Sequence, residues 1–247
     1  MTFPLPTATS VDEGTRASRV AVLPVGSFEQ HGAHLPLSTD TLVACAIAEA
    51  IARAYDLFLL PPVTIACSQE HAAWPGTVSI RAQTLIAVVT DIAASLRASG
   101  IEHLVVVNGH GGNYVLANIV QEANTAGPRM ALFPRREDWS AARSEGGLES
   151  TAHEDMHAGE IETSLLMHLW PELVGAGHAT ADHVAERPNL LVLGLQASTT
   201  SGVVGRPSLG TAQKGEAVLR ALTAGFAETL RALTSENETG SVGDPDD

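Results

Sequence analysis

Apolar residues along the chain fall into two kinds of run. Short continuous stretches at 20–25 (VAVLPV), 57–65 (LFLLPPVTI), 103–107 (HLVVV) and 129–133 (RMALF) have the length and composition of buried strands. Between them apolar positions recur at helical spacing. Leu42, Val43, Ala46, Ile47, Ala50 and Ile51 form one such face, with Thr39 or Asp40 placed to cap it, and Leu85, Val88, Val89, Ile92 and Leu96 form another that stops near Gly100. A third helix runs from about Tyr114 to Asn124. Strand, loop, helix and strand in this order is the rhythm of βαβ units. It predicts an α/β fold: a single three-layer domain with a mostly parallel central sheet and helices on both faces.

The polar, glycine-rich residues 138–158 read as a long loop before a helix at about 160–169. Residues 200–210 are a second irregular stretch. A closing helix from Lys214 to about Leu233 carries Val218, Leu222, Phe226 and Leu230 on one face. The domain is therefore expected to span 1–234, followed by an acidic disordered tail at 235–247 (SENETGSVGDPDD), which has no apolar anchor.

Composition narrows the function. A chain of 247 residues is close to the size of about 250 at which one core is still usual. The 28 acidic residues against 14 basic ones give a formal charge of -14, which argues against a nucleic-acid partner, since phosphates need cations. Cys45 and Cys67 have no metal-binding or dithiol spacing and read as reduced structural thiols. The first residues, MTFPLPTATS, lack a basic region with an apolar core, and no apolar run reaches the roughly 18 residues needed to cross a bilayer. A cytoplasmic protein without a membrane partner is the expectation.

The chemistry lies in the loops after the strands, where open α/β sheets form their ligand crevice. His31 and His34 follow the first strand, His71 the proline-interrupted one, His110 the third; His153 and His157 fall in the long excursion. The segment FEQHGAHLPLSTD (28–40) gathers Glu29, His31, His34 and Asp40. Mixed carboxylates and imidazoles without cysteine suit zinc, manganese or iron rather than a thiolate site. The alternatives are a solvated polar loop and, for Asp40, a helix cap. In NGHGGN (108–113) the glycines permit close backbone approach and the following helix start offers N–H groups near Gly111 to Asn113 to a developing oxyanion, while a phosphate loop is excluded by the missing GxxxxGK[ST]. HEDMH (153–157) matches a zincin motif only superficially, because Gly159 interrupts the required helix.

Four ordered motifs together carry a specific resemblance: LPVGSFEQHGAHLPLSTD, EHAAWPGTVS (70–79), VVVNGHGGNY (105–114) and HAGEIETS (157–164). Over roughly 20–233 the chain resembles the creatininase family of amidohydrolases. The resemblance implies a binuclear centre of two divalent ions per chain, with Glu29, His31, Asp40, His110 and Glu162 as ligands, Asp40 bridging, and Glu160 competing with Glu162 for the last role. It also implies a homo-oligomer, commonly a hexamer, with Trp139 in the long segment packing against a neighbour. The proton is then exchanged by His157 or Glu160.

Two departures bear on the substrate. Creatininase has a glutamate where this chain has Gly112, and a tryptophan where it has His153, so creatinine itself is not the expected substrate and the pocket floor should be altered and more polar. CSQEHAAWPGTVS and HEDMHAGEIETSLLMH are closer in texture to a subgroup that removes a C-terminal Val-Tyr dipeptide from a radical-modified precursor peptide. For such a small modified peptide, Arg135, Arg136 and Arg143 are candidate partners of the terminal carboxylate. The alternatives are a formamide or lactam hydrolase of cofactor biosynthesis, and a metal-stabilised scaffold without activity.

Overall fold

In a computed structural model, which describes residues 5–235, four strands form one parallel sheet in the order β2-β1-β3-β4. They are β1 (Val20–Val25), β2 (Phe58–Leu59), β3 (His103–Asn108) and β4 (Met130–Phe133). Eight α-helices accompany them: α1 (Ser10–Arg16), α2 (Thr39–Tyr55), α3 (Ala82–Ala98), α4 (Val115–Ala123), α5 (Arg136–Glu145), α6 (Glu160–Leu169), α7 (Leu190–Leu193) and α8 (Ala212–Thr234). The expected tail at 236–247 lies outside the described residues.

Alternation along the strands sorts the core into two layers. Val20, Val22, Val105 and Val107 point to one face and pack with Ile47 and Ile51 of α2, Leu165 of α6 and Phe226 of α8. Ala21, Leu23, Leu104 and Val106 point to the other, against Leu85 and Val89 of α3 and Leu116 of α4. Because both faces are covered, the strands are apolar throughout, which is why they were legible as continuous runs. Phe133 and Phe226 meet edge to face with centroids 5.1 Å apart, and burial of each such ring contributes about 1.5–3 kcal/mol.

Two expected elements differ. The strand at 57–65 is cut to Phe58–Leu59, since Pro61 and Pro62 cannot donate to a ladder; Val63 rejoins the sheet edge through its N–H to the Pro24 carbonyl at 2.9 Å. The excursion at 138–158 is not all loop, because its start lies in α5. That helix begins where Asp138 accepts the Arg135 N–H at 2.7 Å, and it packs on α8 through buried Ala142 and partly buried Trp139. Trp139 thus lies partly buried against its own core. No helix among the described residues is long and apolar enough to cross a membrane.

Candidate metal centre

Val25 pairs with Asn108, so the loops beginning at Gly26 and Gly109 leave the sheet side by side. The first turn of α2 rests on both. A Cβ on Gly26 would lie 2.4 Å from the Thr41 backbone, and one on Gly109 would lie 2.2 Å from the Asp40 carbonyl oxygen. Glycine at these two positions lets the helix descend onto the sheet edge and places Asp40 between the loops. Asp40 is therefore inside α2 and is not its cap. Its Oδ1 lies 3.1 Å from His31 Nε2 and its Oδ2 3.0 Å from His110 Nδ1.

The other side chains converge on this carboxylate. Glu29 Oε2 is 3.2 Å from His110 Nε2, and Ser27 Oγ sits 2.7 Å from Glu29 Oε2 and 2.8 Å from Asp40 Oδ2. His31 Nδ1 faces the Glu29 carbonyl at 3.1 Å. A carbonyl only accepts, so in the neutral ring Nδ1 carries the hydrogen and Nε2 turns a lone pair to the carboxylates. Glu162, in the first turn of α6, accepts the Ala158 N–H at 2.6 Å through Oε2 and leaves Oε1 3.8 Å from His31 Nε2. Ala158 is left-handed (φ 54°), and His34 Nε2 donates to its carbonyl at 3.1 Å, so His34 supports the turn that presents Glu162.

Glu160 does not join the cluster, which corrects its candidacy for proton transfer and for the ligand role. Its carboxylate faces away, accepting Lys214 Nζ at 2.6 Å, the Ser150 N–H at 2.8 Å and the Glu149 N–H at 3.0 Å. His153 is also remote: it is exposed and lies 3.0 Å from Glu186 Oε1, so it forms no part of the pocket floor. Arg143 is held by Asp155 at 2.8 Å and Arg135 by Asp138 at 3.0 Å, while Arg136 is exposed and lines the wider cavity beside Trp139. The Asn113 N–H returns to the His110 carbonyl at 3.3 Å, leaving only Gly111 and Gly112 of that loop for an oxyanion.

Two further residues reach the site without having been assigned a role from the sequence. His71 Nε2 lies 3.1 Å from Glu29 Oε1, and Glu70 Oε1 lies 3.6 Å from His110 Nε2. His71 was legible as a histidine following the proline-interrupted strand, while the only signal for Glu70 was membership of the EHAAWPGTVS motif.

The donor set fits divalent ions. Donor atoms of Glu29, Asp40 and His110 lie within 4.8 Å of one another, as do those of His31, Asp40 and Glu162, and those of Glu29, His31 and His157. Glu29 Oε1 and His110 Nε2 are buried with no hydrogen-bond partner. Burial, with Asp40 adjacent, raises Glu29 well above the carboxylate range, and burial pushes Glu162 up to about 7. Burial alone would lower His31, but Asp40 and Glu162 outweigh it and hold the ring up to about 9. An acidic pocket that must retain protons to balance its charge is one that cations would satisfy.

The sequence profile of the creatininase (creatinine amidohydrolase) family matches residues 6–230. The chain belongs to the creatininase family. It is similar to the mycofactocin precursor peptide peptidase of Mycobacterium ulcerans, 36% identical over 80% of this chain and 78% of the relative. It is likewise similar to the protein of that name from Mycolicibacterium smegmatis, 32% identical over 88% of this chain and 90% of the relative. Its fold matches the crystal structure of creatinine amidohydrolase with a TM-score of 0.80, at 23% identity over 93% of this chain and 97% of that one.

Proposed function

We propose that this chain is a binuclear metal-dependent peptidase that releases the C-terminal Val-Tyr dipeptide from the modified mycofactocin precursor peptide, in the cytoplasm. The observation that carries the reading is the buried cluster in which Asp40 stands between His31 and His110, with Glu29 and Glu162 closing the two sides. Glu29, Asp40 and His110 would hold one ion and His31, Asp40 and Glu162 the other. Zinc, manganese and iron all suit these donors. When bound, such ions supply Lewis acidity, lowering the pKa of water toward neutrality and polarising an amide carbonyl.

His157 is assigned the proton transfer. Its Nε2 lies 2.6 Å from the Gln30 carbonyl, which only accepts, so Nε2 carries the hydrogen. Nδ1, 3.7 Å from Glu29 Oε1, is left with a lone pair facing the cluster. Burial, then His31 and His71, hold this ring well below the usual histidine range, so it is neutral and able to accept. It takes the proton of the attacking water and returns it to the leaving nitrogen, which departs poorly unless protonated. The Gln30 amide, whose nitrogen donates to the Gly202 carbonyl at 3.1 Å and to His71 Nδ1 at 2.9 Å, fixes the loop that carries this carbonyl.

Two cavities support a peptide substrate. One of about 300 Å³ contains Asp40, His110, His157 and Glu162 and has Arg187 on its wall. A second of about 640 Å³ shares His110 and Glu162 with it and extends along Trp139 and Leu148. Two spaces meeting at one centre suit a chain cut near its end. The dipeptide would lie on the Arg187 side, its carboxylate paired with the guanidinium, and the rest of the peptide in the larger groove. The reading includes a homo-oligomer, of hexameric form by family resemblance. It is supported by Leu191 and Val192 of α7, which are 80% and 81% exposed near the site mouth.

The test is mass analysis after incubating metal-loaded protein with a precursor peptide ending in Val-Tyr, modified and unmodified, beside a panel of formamides and creatinine. Metal-dependent release of the intact dipeptide, selective for the modified peptide, is expected. Rapid formamide hydrolysis without dipeptide release would make it a small-molecule amidohydrolase, and no turnover by fully loaded protein would leave a metal-stabilised scaffold.

A further inference from the structure

Glu70 sits in a single 3-10 turn, Gln69–His71, that approaches the cluster from the side of α4. Its carboxylate occupies space that a side chain at position 112 would need: a Cβ on Gly112 would fall 2.0 Å from Glu70 Oε1. The carboxylate is nearly buried, at 10% exposure, and its one ion-pair contact among the described residues is His110, whose Nε2 is 3.6 Å away. That separation is too long for a hydrogen bond. His110 itself is 5% exposed, its Nδ1 is engaged by Asp40, and its Nε2 has no hydrogen-bond partner. Glu29 Oε2 lies 3.2 Å from the same nitrogen. Two carboxylates, those of Glu70 and Glu29, thus approach one buried imidazole nitrogen that makes a hydrogen bond to neither. Such an arrangement is unfavourable without a cation to share.

We propose that Glu70 is a further ligand of the ion assigned to Glu29, Asp40 and His110, and that Gly112 is the space that admits it. The inference rests on the binuclear reading above and adds a residue to one half of the centre only. The two halves then differ: one has three carboxylates and an imidazole, the other two carboxylates and an imidazole. The first binds the harder cation, manganese or iron in its divalent state, more tightly than the second does.

Metal-stripped protein titrated with Mn²⁺ against a competing chelator tests this without reference to turnover. Wild type is expected to bind two ions. Glu70→Gln is expected to keep one site at wild-type affinity and to weaken the other by more than about tenfold, which exceeds the low end for loss of an outer-shell partner. The retained site serves as the control for folding. Cobalt substitution distinguishes a ligand from a merely structural neighbour, since loss of a coordinating carboxylate changes the Co²⁺ d–d absorption of the weakened site. Two wild-type affinities and an unchanged cobalt spectrum in Glu70→Gln would overturn the proposal while leaving the binuclear centre intact. Fewer than two ions in wild type would remove the binuclear reading and this inference with it.

Discussion

Lys214 donates a 2.6 Å hydrogen bond to Glu160 Oε1, and this contact turns an acid of the HAGEIETS motif away from the chemistry. Glu160 is fully buried, so burial alone would raise its pKa; Lys214 and the N–H groups of Ser150 and Glu149 outweigh that and lower it. A carboxyl with a depressed folded pKa adds stability above its unfolded value of about 4.3, and that stability is lost as pH falls through the folded value. Glu160→Gln is therefore expected to lower unfolding free energy at pH 7 by about 1–3 kcal/mol. The difference from wild type should shrink below about pH 4, while metal content is unchanged. Urea melts across pH check this, and loss of metal at neutral pH with unaltered stability would return Glu160 to the site.

Asp40 is the side chain common to both halves of the centre, through Oδ1 toward His31 and Oδ2 toward His110. Asp40→Ala should remove both ions together, measured by elemental analysis of chelator-washed protein. Retention of one ion at wild-type affinity would show that the carboxylate is not shared.

His157 should separate rate from metal. His157→Gln is expected to retain both ions and to lower kcat by about 10²–10⁴-fold, the range of a general acid–base group. Since burial lowers its pKa and bound cations act in the same direction, the base stays unprotonated as pH falls through the ordinary histidine range. The wild-type rate should therefore show no loss assignable to this ring between pH 7 and about 6. Full turnover by the variant would transfer the proton step to water.

Gly159 and Asp155 are a packing pair: a Cβ on Gly159 would lie 1.8 Å from Asp155 Oδ1. That oxygen accepts the Glu160 N–H at 2.6 Å and Oδ2 the Ile161 N–H at 3.1 Å, satisfying the start of α6. Gly159→Ala should cost about 1–3 kcal/mol by overpacking and displace the turn that carries Glu162, weakening the ion on the His31 side. Unchanged melting and metal affinity would show that the turn can yield.

Arg187 is the cation on the wall of the smaller cavity, half-buried and donating to the His153 carbonyl at 2.9 Å. Arg187→Ala should raise KM for a peptide with a free C-terminus, with a smaller effect on kcat. A C-terminally amidated peptide should be insensitive to the change. Equal effects on both peptides would remove the guanidinium from carboxylate recognition.

The layered core was legible because burial on both faces of a parallel sheet leaves an unbroken apolar signature, as in VAVLPV and HLVVV. Glu29, His31, Asp40 and His110 were legible because each lies in or beside a loop following a strand, and His157 because it opens the HAGEIETS motif. The three-dimensional arrangement decided the remainder. Glu160 and Glu162 are both acids of one motif, and local sequence could not choose between them. Two helical positions are rotated by about 200°, so only docking of α6 against α8 sets which one meets Lys214 and which one meets His31. Helix α5 is short and polar, with Trp139 and Ala142 as its inward anchors, so its amphipathic signal was too weak to distinguish it from loop. Glu70 comes within 3.6 Å of His110 Nε2 through space that a side chain on Gly112 would fill. That encounter joins residues distant in the chain through the absence of a side chain, and no periodicity along the sequence records it.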